Sequence, residues 1–285
     1  MRVEAFPDAG TKVQASDFII TIGGQAANAA VAVARLGAKT RYAGALGDVS
    51  DDVAAYVVRV LEREGIDCRH AVRVAGAMSS VSLIMIDRAG EKMIATRRGH
   101  GLTEAVPPDA SALAADIDAV LLDNRYPNFV TPILREAEKR GIPRVLDLDR
   151  EAALDDVLLT GSTHVICALE ALVGTTGEHD PARGLLKLGQ HARGFLAVTN
   201  GPEGVYWLEN GAVRHMDAFG VDAIDTLGAG DTFHGAFTVR LVETGDVVQS
   251  MRFAAAAAAI KCTRFGGLMG AATRSEVEAF LNERG

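Results

Sequence analysis

Residues 225–232 read DTLGAGDT and place three small residues directly before an aspartate, at the start of a long alanine-rich helical pattern. Gly228, Ala229 and Gly230 allow the backbone to approach a ligand closely and to present successive N–H groups to it. Because the following helix adds partial positive charge at its N-terminus, the segment predicts a site for an anion such as phosphate. Asp231 would stand beside that anion as a base, and these two parts suffice for phosphoryl transfer to a hydroxyl group. The structural alternative is a strand-to-helix turn with an aspartate cap.

A second glycine-rich segment lies near the N-terminus and agrees with the first. Gly23 and Gly24 lead into a helical pattern with Asn28 in its first turns, and two further glycines follow at intervals. This arrangement resembles the first signature of the PfkB, or ribokinase-like, carbohydrate kinase family, and residues 225–238 resemble the second. The signatures occur in the family's order, and the resemblance extends over nearly the whole chain.

The resemblance implies an α/β fold, with a ribokinase-like three-layer α/β/α core, a mostly parallel sheet and a small β-sheet lid. The residues agree with it, because continuous apolar strands separated by amphipathic helices indicate a parallel sheet covered on both faces. The predicted strands are residues 81–87, 119–123, 144–148, 164–168 and 195–199, and the predicted helices are residues 25–36, 51–64, 130–140, 232–243 and 247–263.

Two segments break this alternation and predict the lid. Residues 1–22 and 72–96 have strand-like patterns without intervening helices, whereas residues 23–71 and 97–285 are assigned to the kinase core. Family members begin with one more core strand, and that strand is expected to be missing before Met1. The family's lid often pairs two subunits, so the resemblance implies a homodimer formed through the lid.

Composition restricts the class of protein and of partner. The 285 residues are 48% hydrophobic and 23% charged, as in soluble globular domains, and the net charge of −8 argues against nucleic acid as a partner. The three cysteines show no metal-ligand spacing and favour a reducing, cytoplasmic location. No hydrophobic targeting run opens the sequence, and its longest apolar run, residues 253–260, is too short to cross a membrane.

The resemblance implies that residues of both signatures contact the sugar and its reacting hydroxyl group. Asp231 is the implied catalytic base, and the small residues before it would stabilise the transferring phosphoryl group. Gly23, Gly24 and Asn28 would face the sugar, because glycine brings backbone N–H groups close and asparagine offers hydroxyl groups both a donor and an acceptor. A tight turn followed by a helix start is the structural alternative for these three residues.

Two arginines are candidates for an acidic group on the substrate. Arg125 follows the predicted strand 119–123, at the sheet edge where ligands bind, and Arg97 lies at the end of a lid strand. Each has a solvated surface arginine as its structural alternative.

The nucleotide is assigned to two further segments by the resemblance. Residues 199–204 read TNGPEG and look like the family's Thr-x-Gly-x-x-Gly loop between two strands, in which Thr199, Gly201 and Gly204 would hold ATP. Residues 253–267 look like the helix and loop beside the adenine, which assigns Ala255 and Gly266 to the cofactor. A plain hairpin turn is the structural alternative for the first segment.

Metal ions are also implied by the resemblance. Glu170 falls where the family has the glutamate of an Asn-x-x-Glu motif that holds Mg²⁺ through water, although Cys167 stands at the asparagine position. Asp225 corresponds to an aspartate of the family's loop for a monovalent cation such as K⁺, and a structural turn is the alternative for it.

The implied function is an ATP-dependent sugar kinase. Several stretches look closest to the family branch that contains sulfofructose kinase and ketohexokinases, among them residues 221–237 and 252–267. This implies phosphoryl transfer from ATP to a primary hydroxyl of a ketose-like sugar, with 6-deoxy-6-sulfofructose as one candidate. The alternatives are a nucleoside or 2-keto-3-deoxygluconate-type kinase on the same fold, or a non-catalytic member that senses a sugar or a nucleotide.

Overall fold

The computed structural model of the chain describes residues 1–284. In this part of the chain the strands are β1 Arg41–Leu46, β2 Asp67–Arg73, β3 Val81–Ile86, β4 Lys92–Arg97, β5 Val120–Asp123, β6 Arg144–Leu148, β7 His164–Ala168, β8 Phe195–Thr199, β9 Val205–Glu209 and β10 Ala212–Met216. The α-helices are α1 Gln25–Arg35, α2 Asp52–Arg63, α3 Ala110–Leu113, α4 Pro127–Lys139, α5 Val157–Gly161, α6 Leu169–Thr176, α7 Pro181–Leu188, α8 Ala229–Thr244, α9 Val247–Cys262 and α10 Arg274–Glu283.

Six strands form the central sheet, in the order β10-β9-β8-β7-β6-β5. The strands from β5 to β8 run parallel, whereas β9 and β10 run antiparallel at one end. Helices join the parallel strands, as the crossover of a parallel pair requires. Such a sheet collects the carboxyl ends of its parallel strands along one edge, and the residues that follow those strands lie there together.

Helices cover both faces of the sheet. Val145 and Ile166 belong to a buried core that they share with residues of α8 and α9. Their neighbours Leu146 and Val165 belong to a second core, with residues of α4, α6 and α7. Successive strand residues point to opposite faces, so the parallel strands carry apolar side chains on both. The predicted three-layer α/β/α fold is confirmed.

The five strands and five helices predicted between residues 25 and 263 are found with small shifts at their ends. The largest shifts are at the starts of α4 and α8, which begin at Pro127 and Ala229 rather than at residues 130 and 232. Proline suits the first turn of a helix, where its missing N–H would have no intrahelical acceptor. The earlier start of α8 brings Asp231 into the first turn of the helix.

A cleft of about 1750 Å³ separates two parts of the β structure. β1 and β2 form a parallel pair of their own, and residues of both β1 and β5 line the cleft. The helix α1 packs against both of these strands. We call this space the central cleft, and it extends to Gly23 and Gly24 at the start of α1.

The lid contains one regular hairpin. β3 and β4 pair antiparallel, from Val81 opposite Arg97 to Ile86 opposite Lys92. The strands predicted within residues 1–22 are absent, and the segment forms only isolated bridges between Arg2 and residues 17 and 86. A turn at residues 8–11 interrupts the extended chain there.

A glycine allows α1 and α8 to approach each other closely. A Cβ atom at Gly235 would lie 2.9 Å from the carbonyl oxygen of Ala29 and 3.2 Å from the Cβ of Ala32. A larger side chain would therefore push the two helices apart. Because of this packing, the first turns of both helices lie side by side at the sheet edge.

The helices and cysteines of the described chain have two further properties. None of the helices within residues 1–284 has the length and apolar character that crossing a bilayer requires. Cys68, Cys167 and Cys262 are free thiols, and the first two are buried.

Candidate active site

The two signature segments meet through one hydrogen bond. Asn28 in α1 donates from Nδ2 to Oδ2 of Asp231 in α8 over 2.6 Å, although the residues are 203 positions apart in sequence. The Oδ1 atom of Asn28 is buried and has no partner within residues 1–284. Asn28 also lines the central cleft. Its side chain can therefore hold the carboxylate and still accept a hydrogen bond from a ligand hydroxyl.

Backbone N–H groups without acceptors lie beside this carboxylate. The first regular bond of α8 runs from Thr232 N to the Gly228 carbonyl oxygen, over 3.0 Å. Within the described chain, no atom accepts from the N–H groups of Gly230 and Asp231, as is usual in the first turn of a helix. The N–H of Ala229 is already used, because it donates to the Thr226 carbonyl oxygen over 3.2 Å. The geometry therefore favours Gly230 and Asp231, rather than Ala229, as donors to an anion.

Asp231 has the acid–base character of a residue that exchanges protons near neutral pH. Burial first, and the nearby charge of Asp147 second, raise the pKa of Asp231 to about 7, although the hydrogen bond from Asn28 opposes the rise. A base with a pKa near the working pH is both available in its ionised form and able to hold the proton it takes. This agrees with the role predicted for Asp231.

Asp147 and His234 lie beneath the site and were not assigned a catalytic part by the sequence. His234 Nδ1 lies 2.7 Å from the Gly230 carbonyl oxygen, and Nε2 lies 3.2 Å from that of Ile166 and 3.5 Å from Asp147 Oδ1. Both ring nitrogens thus face oxygen acceptors.

Burial shifts the pKa values of the two groups in opposite directions. Burial lowers the pKa of His234, and burial together with the charges of Asp149 and Asp123 holds the pKa of Asp147 well above its usual value. A sequence signal for this pair exists, because Asp147 lies one residue before the end of a buried strand and His234 follows Asp231 by nearly one helical turn.

Most of the residues predicted to bind the substrate line the central cleft. Gly23 and Gly24 border it, and a Cβ atom at either position would meet no other atom within 4 Å. Gly24 has φ +102°, a backbone conformation that favours glycine. Arg125 also lines the cleft, and within residues 1–284 its guanidinium group makes no hydrogen bond or ion pair. These positions leave room for a ligand in front of Asn28.

The two lid arginines differ in position. Arg97 is exposed, does not line the central cleft, and directs Nη2 to the sulfur of Met78 at 3.0 Å. Arg98 lines the cleft instead. Successive residues of an extended chain point to opposite faces, so neighbouring residues such as Arg97 and Arg98 face the solvent and the cleft respectively. The substrate role predicted for Arg97 is therefore better suited to Arg98.

The predicted nucleotide loop joins β8 to β9, as its sequence indicated. Thr199 ends β8, and Gly201 begins a short 3₁₀ turn, Gly201–Glu203. Gly204 has φ +90°, and a Cβ atom there would lie only 2.1 Å from a carbonyl oxygen of β10, so this position requires glycine. Neither this loop nor Ala255 in α9 lines the central cleft, and their contacts with ATP stay predictions.

The residues around Glu170 fit a magnesium ion carried by a nucleotide rather than a site made of protein alone. Glu170 is exposed in the first turn of α6, and its negative charge contributes to the raised pKa of Asp149. Cys167 is fully buried and its pKa is raised to about 12, chiefly by burial, so its thiol is no ligand. Within residues 1–284, no three acidic, histidine or cysteine side chains form a metal-binding group. Mg²⁺ often keeps several waters and binds through one carboxylate and substrate phosphates.

Asp225 has a full set of partners. Its carboxylate accepts N–H groups from Leu227 at 2.8 Å, Gly266 at 3.1 Å and Gly267 at 3.0 Å. Its carbonyl oxygen accepts from Lys261 Nζ at 2.5 Å. Burial opposes the ionisation of Asp225, yet these partners hold its pKa below the usual value. A bound monovalent cation does not fit beside the Lys261 ammonium group. The sequence signal for Lys261 is a lysine at the end of an alanine-rich helical run.

Comparisons with known proteins agree with this geometry. The sequence model described as pfkB family carbohydrate kinase matches residues 1–273. A ribokinase from Haemophilus influenzae is 32% identical over 288 residues, which cover 98% of this chain and 93% of that protein. An ATP-dependent ribose-1-phosphate kinase from Halopiger xanaduensis is 30% identical over 296 residues, which cover 100% of this chain and 94% of that protein.

A solved structure is similar over the same extent. The crystal structure of a candidate ribokinase from Agrobacterium tumefaciens has a TM-score of 0.94 and 34% sequence identity, covering 99% of this chain and 93% of that one. The match includes both signature segments and the layers that bring them together. This chain belongs to the pfkB family of carbohydrate kinases, which are phosphotransferases that act on a sugar hydroxyl group.

Proposed function

We propose that this protein transfers the γ-phosphoryl group of ATP to a primary hydroxyl group of a small sugar, with Asp231 as the base. The observation that carries the proposal is the 2.6 Å hydrogen bond from Asn28 to Asp231, beside two N–H groups with no acceptor in the described chain. A carboxylate that takes the proton and donors for the charge on the phosphoryl group are what direct in-line transfer needs.

The sugar would lie in the central cleft, over Gly23 and Gly24. Asn28 Oδ1 would accept from one sugar hydroxyl, while Asn28 Nδ2 keeps one oxygen of Asp231 fixed. The other oxygen of Asp231 would take the proton of the attacking hydroxyl. The N–H groups of Gly230 and Asp231 would stabilise charge on the transferring group, and no covalent enzyme intermediate is needed.

The nucleotide would approach from the loop at residues 199–204, and Gly266 would contact it from the opposite side. Magnesium, when bound, neutralises the phosphate charges. Glu170 would hold the water shell of that ion, because its carboxylate is exposed at the start of α6.

The identity of the sugar is the narrower part of the proposal. The relatives described above are named for ribose and ribose 1-phosphate, so a pentose is one candidate. The ketose, and 6-deoxy-6-sulfofructose in particular, is supported by the sequence resemblance alone. Arg125 offers a guanidinium group that makes no hydrogen bond within residues 1–284 to a substrate that carries an acidic group, as ribose 1-phosphate and the sulfonated sugar both do.

The first test measures ATP consumption with Mg²⁺ on ribose, fructose, 6-deoxy-6-sulfofructose, 2-keto-3-deoxygluconate, ribose 1-phosphate and adenosine. We expect turnover of one sugar, and we expect Asp231→Asn to lower its kcat by about 10²- to 10⁴-fold, because the base is lost. The matched control is Asp222→Asn, which makes the same change at an exposed aspartate of the preceding segment. Full activity of Asp231→Asn would refute the mechanism.

Two results would change the function itself. Turnover of adenosine alone would make the protein a nucleoside kinase. ATP binding without turnover of any compound in the panel would support the sensing alternative.

Arg125→Gln tests for an acidic group on the substrate. If the substrate is anionic, we expect its KM to rise by about tenfold or more, because a charge-assisted hydrogen bond is lost. The KM of a neutral sugar serves as the internal control and should change little. An equal effect on charged and neutral sugars would show that Arg125 does not recognise the charge.

The pH dependence of kcat/KM tests the acid–base character of Asp231. Because its pKa is about 7, kcat/KM should fall about tenfold for each pH unit below that value. Asp147→Asn removes the negative charge that helps to raise this pKa, so the acidic limb should move to lower pH. Asp180→Asn, at the exposed cap of α7, is the control. An acidic limb of kcat/KM at the same pH in Asp147→Asn as in the wild type would contradict this account.

We also propose a homodimer formed through one face of the lid hairpin. Val81, Leu83 and Met93 share this face and are 43–45% exposed, whereas Lys92 on the opposite face reaches Thr226 in the core. An exposed apolar sheet face of this kind favours a protein partner.

The dimer is tested by sedimentation of the whole chain. We expect a dimer for the wild type and a monomer for Leu83→Lys, because a charge then faces the partner's apolar surface. Glu91→Lys, in the exposed hairpin turn, should remain dimeric. A monomeric wild type would refute the proposal.

A further inference from the structure

A buried ammonium group stands directly behind the anion site. Lys261, in the last turn of α9, has no exposed surface, and its Nζ lies 2.5 Å from the carbonyl oxygen of Asp225 and 3.7 Å from Asp225 Oδ1. A buried charge is costly unless an opposite charge and hydrogen bonds compensate it. Asp225, which is only 3% exposed, is the compensating charge here.

The pair holds two loops together. The carboxylate of Asp225 accepts the N–H groups of Gly266 and Gly267 from one loop and that of Leu227 from its own. The backbone N–H of Asp225 in turn donates to the carbonyl oxygen of Cys262, the neighbour of Lys261. Asp225 and Lys261 thus fix residues 225–227 against the end of α9 and the loop that follows it.

This segment carries the anion site. The carbonyl oxygen of Thr226, next to Asp225, accepts the N–H of Ala229 at the start of α8. A shift of residues 225–227 would therefore move the first turn of α8, where Gly230 and Asp231 present their N–H groups. A positive charge that holds Asp225 also holds the donors of the site.

The resemblance to the kinase family assigns a monovalent cation to Asp225, and the residues present do not fit one. Each of the three oxygens of Asp225 already has a donor, and two of them lie within 3.7 Å of Lys261 Nζ. A second cation at the same carboxylate would meet direct repulsion from the ammonium group.

We propose that Lys261 takes the place of the monovalent cation at Asp225, so that the anion site is formed without added K⁺. The inference rests on the proposed kinase function for its activity readout only. Its second readout, cation-dependent stability, needs no substrate.

The wild type is tested in KCl, NaCl and tetramethylammonium chloride at equal ionic strength. We expect kcat/KM on the substrate that the panel identifies to differ by less than about twofold among the three salts, well below the usual range of effector coupling. We also expect the thermal unfolding midpoint to be the same in KCl and in tetramethylammonium chloride. An ion that binds only the folded protein would raise that midpoint.

Lys261→Met tests whether the vacated position accepts an ion. We expect a loss of activity in tetramethylammonium chloride that KCl partly restores, and an unfolding midpoint that is higher in KCl. The matched control is Lys187→Met, which removes an ammonium group that donates to the Thr176 carbonyl oxygen at 2.5 Å, away from the site. That variant should show no preference among the salts.

Two results would overturn the proposal. One is a wild type that K⁺ activates by more than about tenfold or stabilises selectively against unfolding. The other is a folded Lys261→Met that responds to K⁺ no more than the wild type does. If Lys261→Met does not fold, the wild-type salt series decides alone. If no sugar is turned over, the unfolding series still tests the cation site, so failure of the kinase proposal stays distinguishable.

Discussion

Gly235 sets the distance between α1 and α8, and the site depends on that distance. With only a hydrogen atom at this position, the backbone of α8 lies against the Ala29 carbonyl, one residue after Asn28. The first turns of the two helices then present Asn28 and Asp231 to each other at 2.6 Å. This contact cannot form within either segment alone, because Asn28 lies in α1 and Asp231 lies in the first turn of α8. Packing in the core therefore determines the geometry of the chemistry.

This arrangement buries several acidic side chains, and burial is unfavourable for their charged forms. Asp123, Asp147 and Asp231 lie near one another at the sheet edge, and burial raises the pKa of all three. Because the folded-state pKa of Asp231 is about 7 and its unfolded value is lower, the stability contributed by this group is fully present below the unfolded pKa. It is lost as pH rises through about 7, where Asp231 becomes ionised. The protein thus gives up stability in the pH range in which Asp231 can accept a proton.

The sequence predicted the parts of the fold that local patterns encode. The apolar strands, the alanine-rich helices and the two glycine segments were found where they were expected, and Asn28 and Asp231, which the sequence singled out, are hydrogen-bonded to each other. The contacts of Ala229, Arg97 and Asp225 could not be predicted, because each depends on a hydrogen bond or a strand face that exists only after folding. His234 and Lys261 were missed for a related reason. A histidine or lysine in an apolar helix has a polar role only if an acceptor from a distant segment reaches it, as Asp147 and Asp225 do here.

A lysine side chain and a bound ion lose their freedom of movement at different stages. The side chain of Lys261 loses its conformational freedom during folding, whereas a free ion must be captured from solution to complete the site. The charge beside Asp225 is therefore in place before any substrate arrives, as preorganised electrostatic stabilisation requires. Lys92 adds a second ammonium group from the lid, which donates to the Thr226 hydroxyl one residue further on. Residues 225–226 are thus held by a lysine of the core and a lysine of the lid. Lys261 is fully buried in α9, so its contact with Asp225 does not depend on the position of the lid.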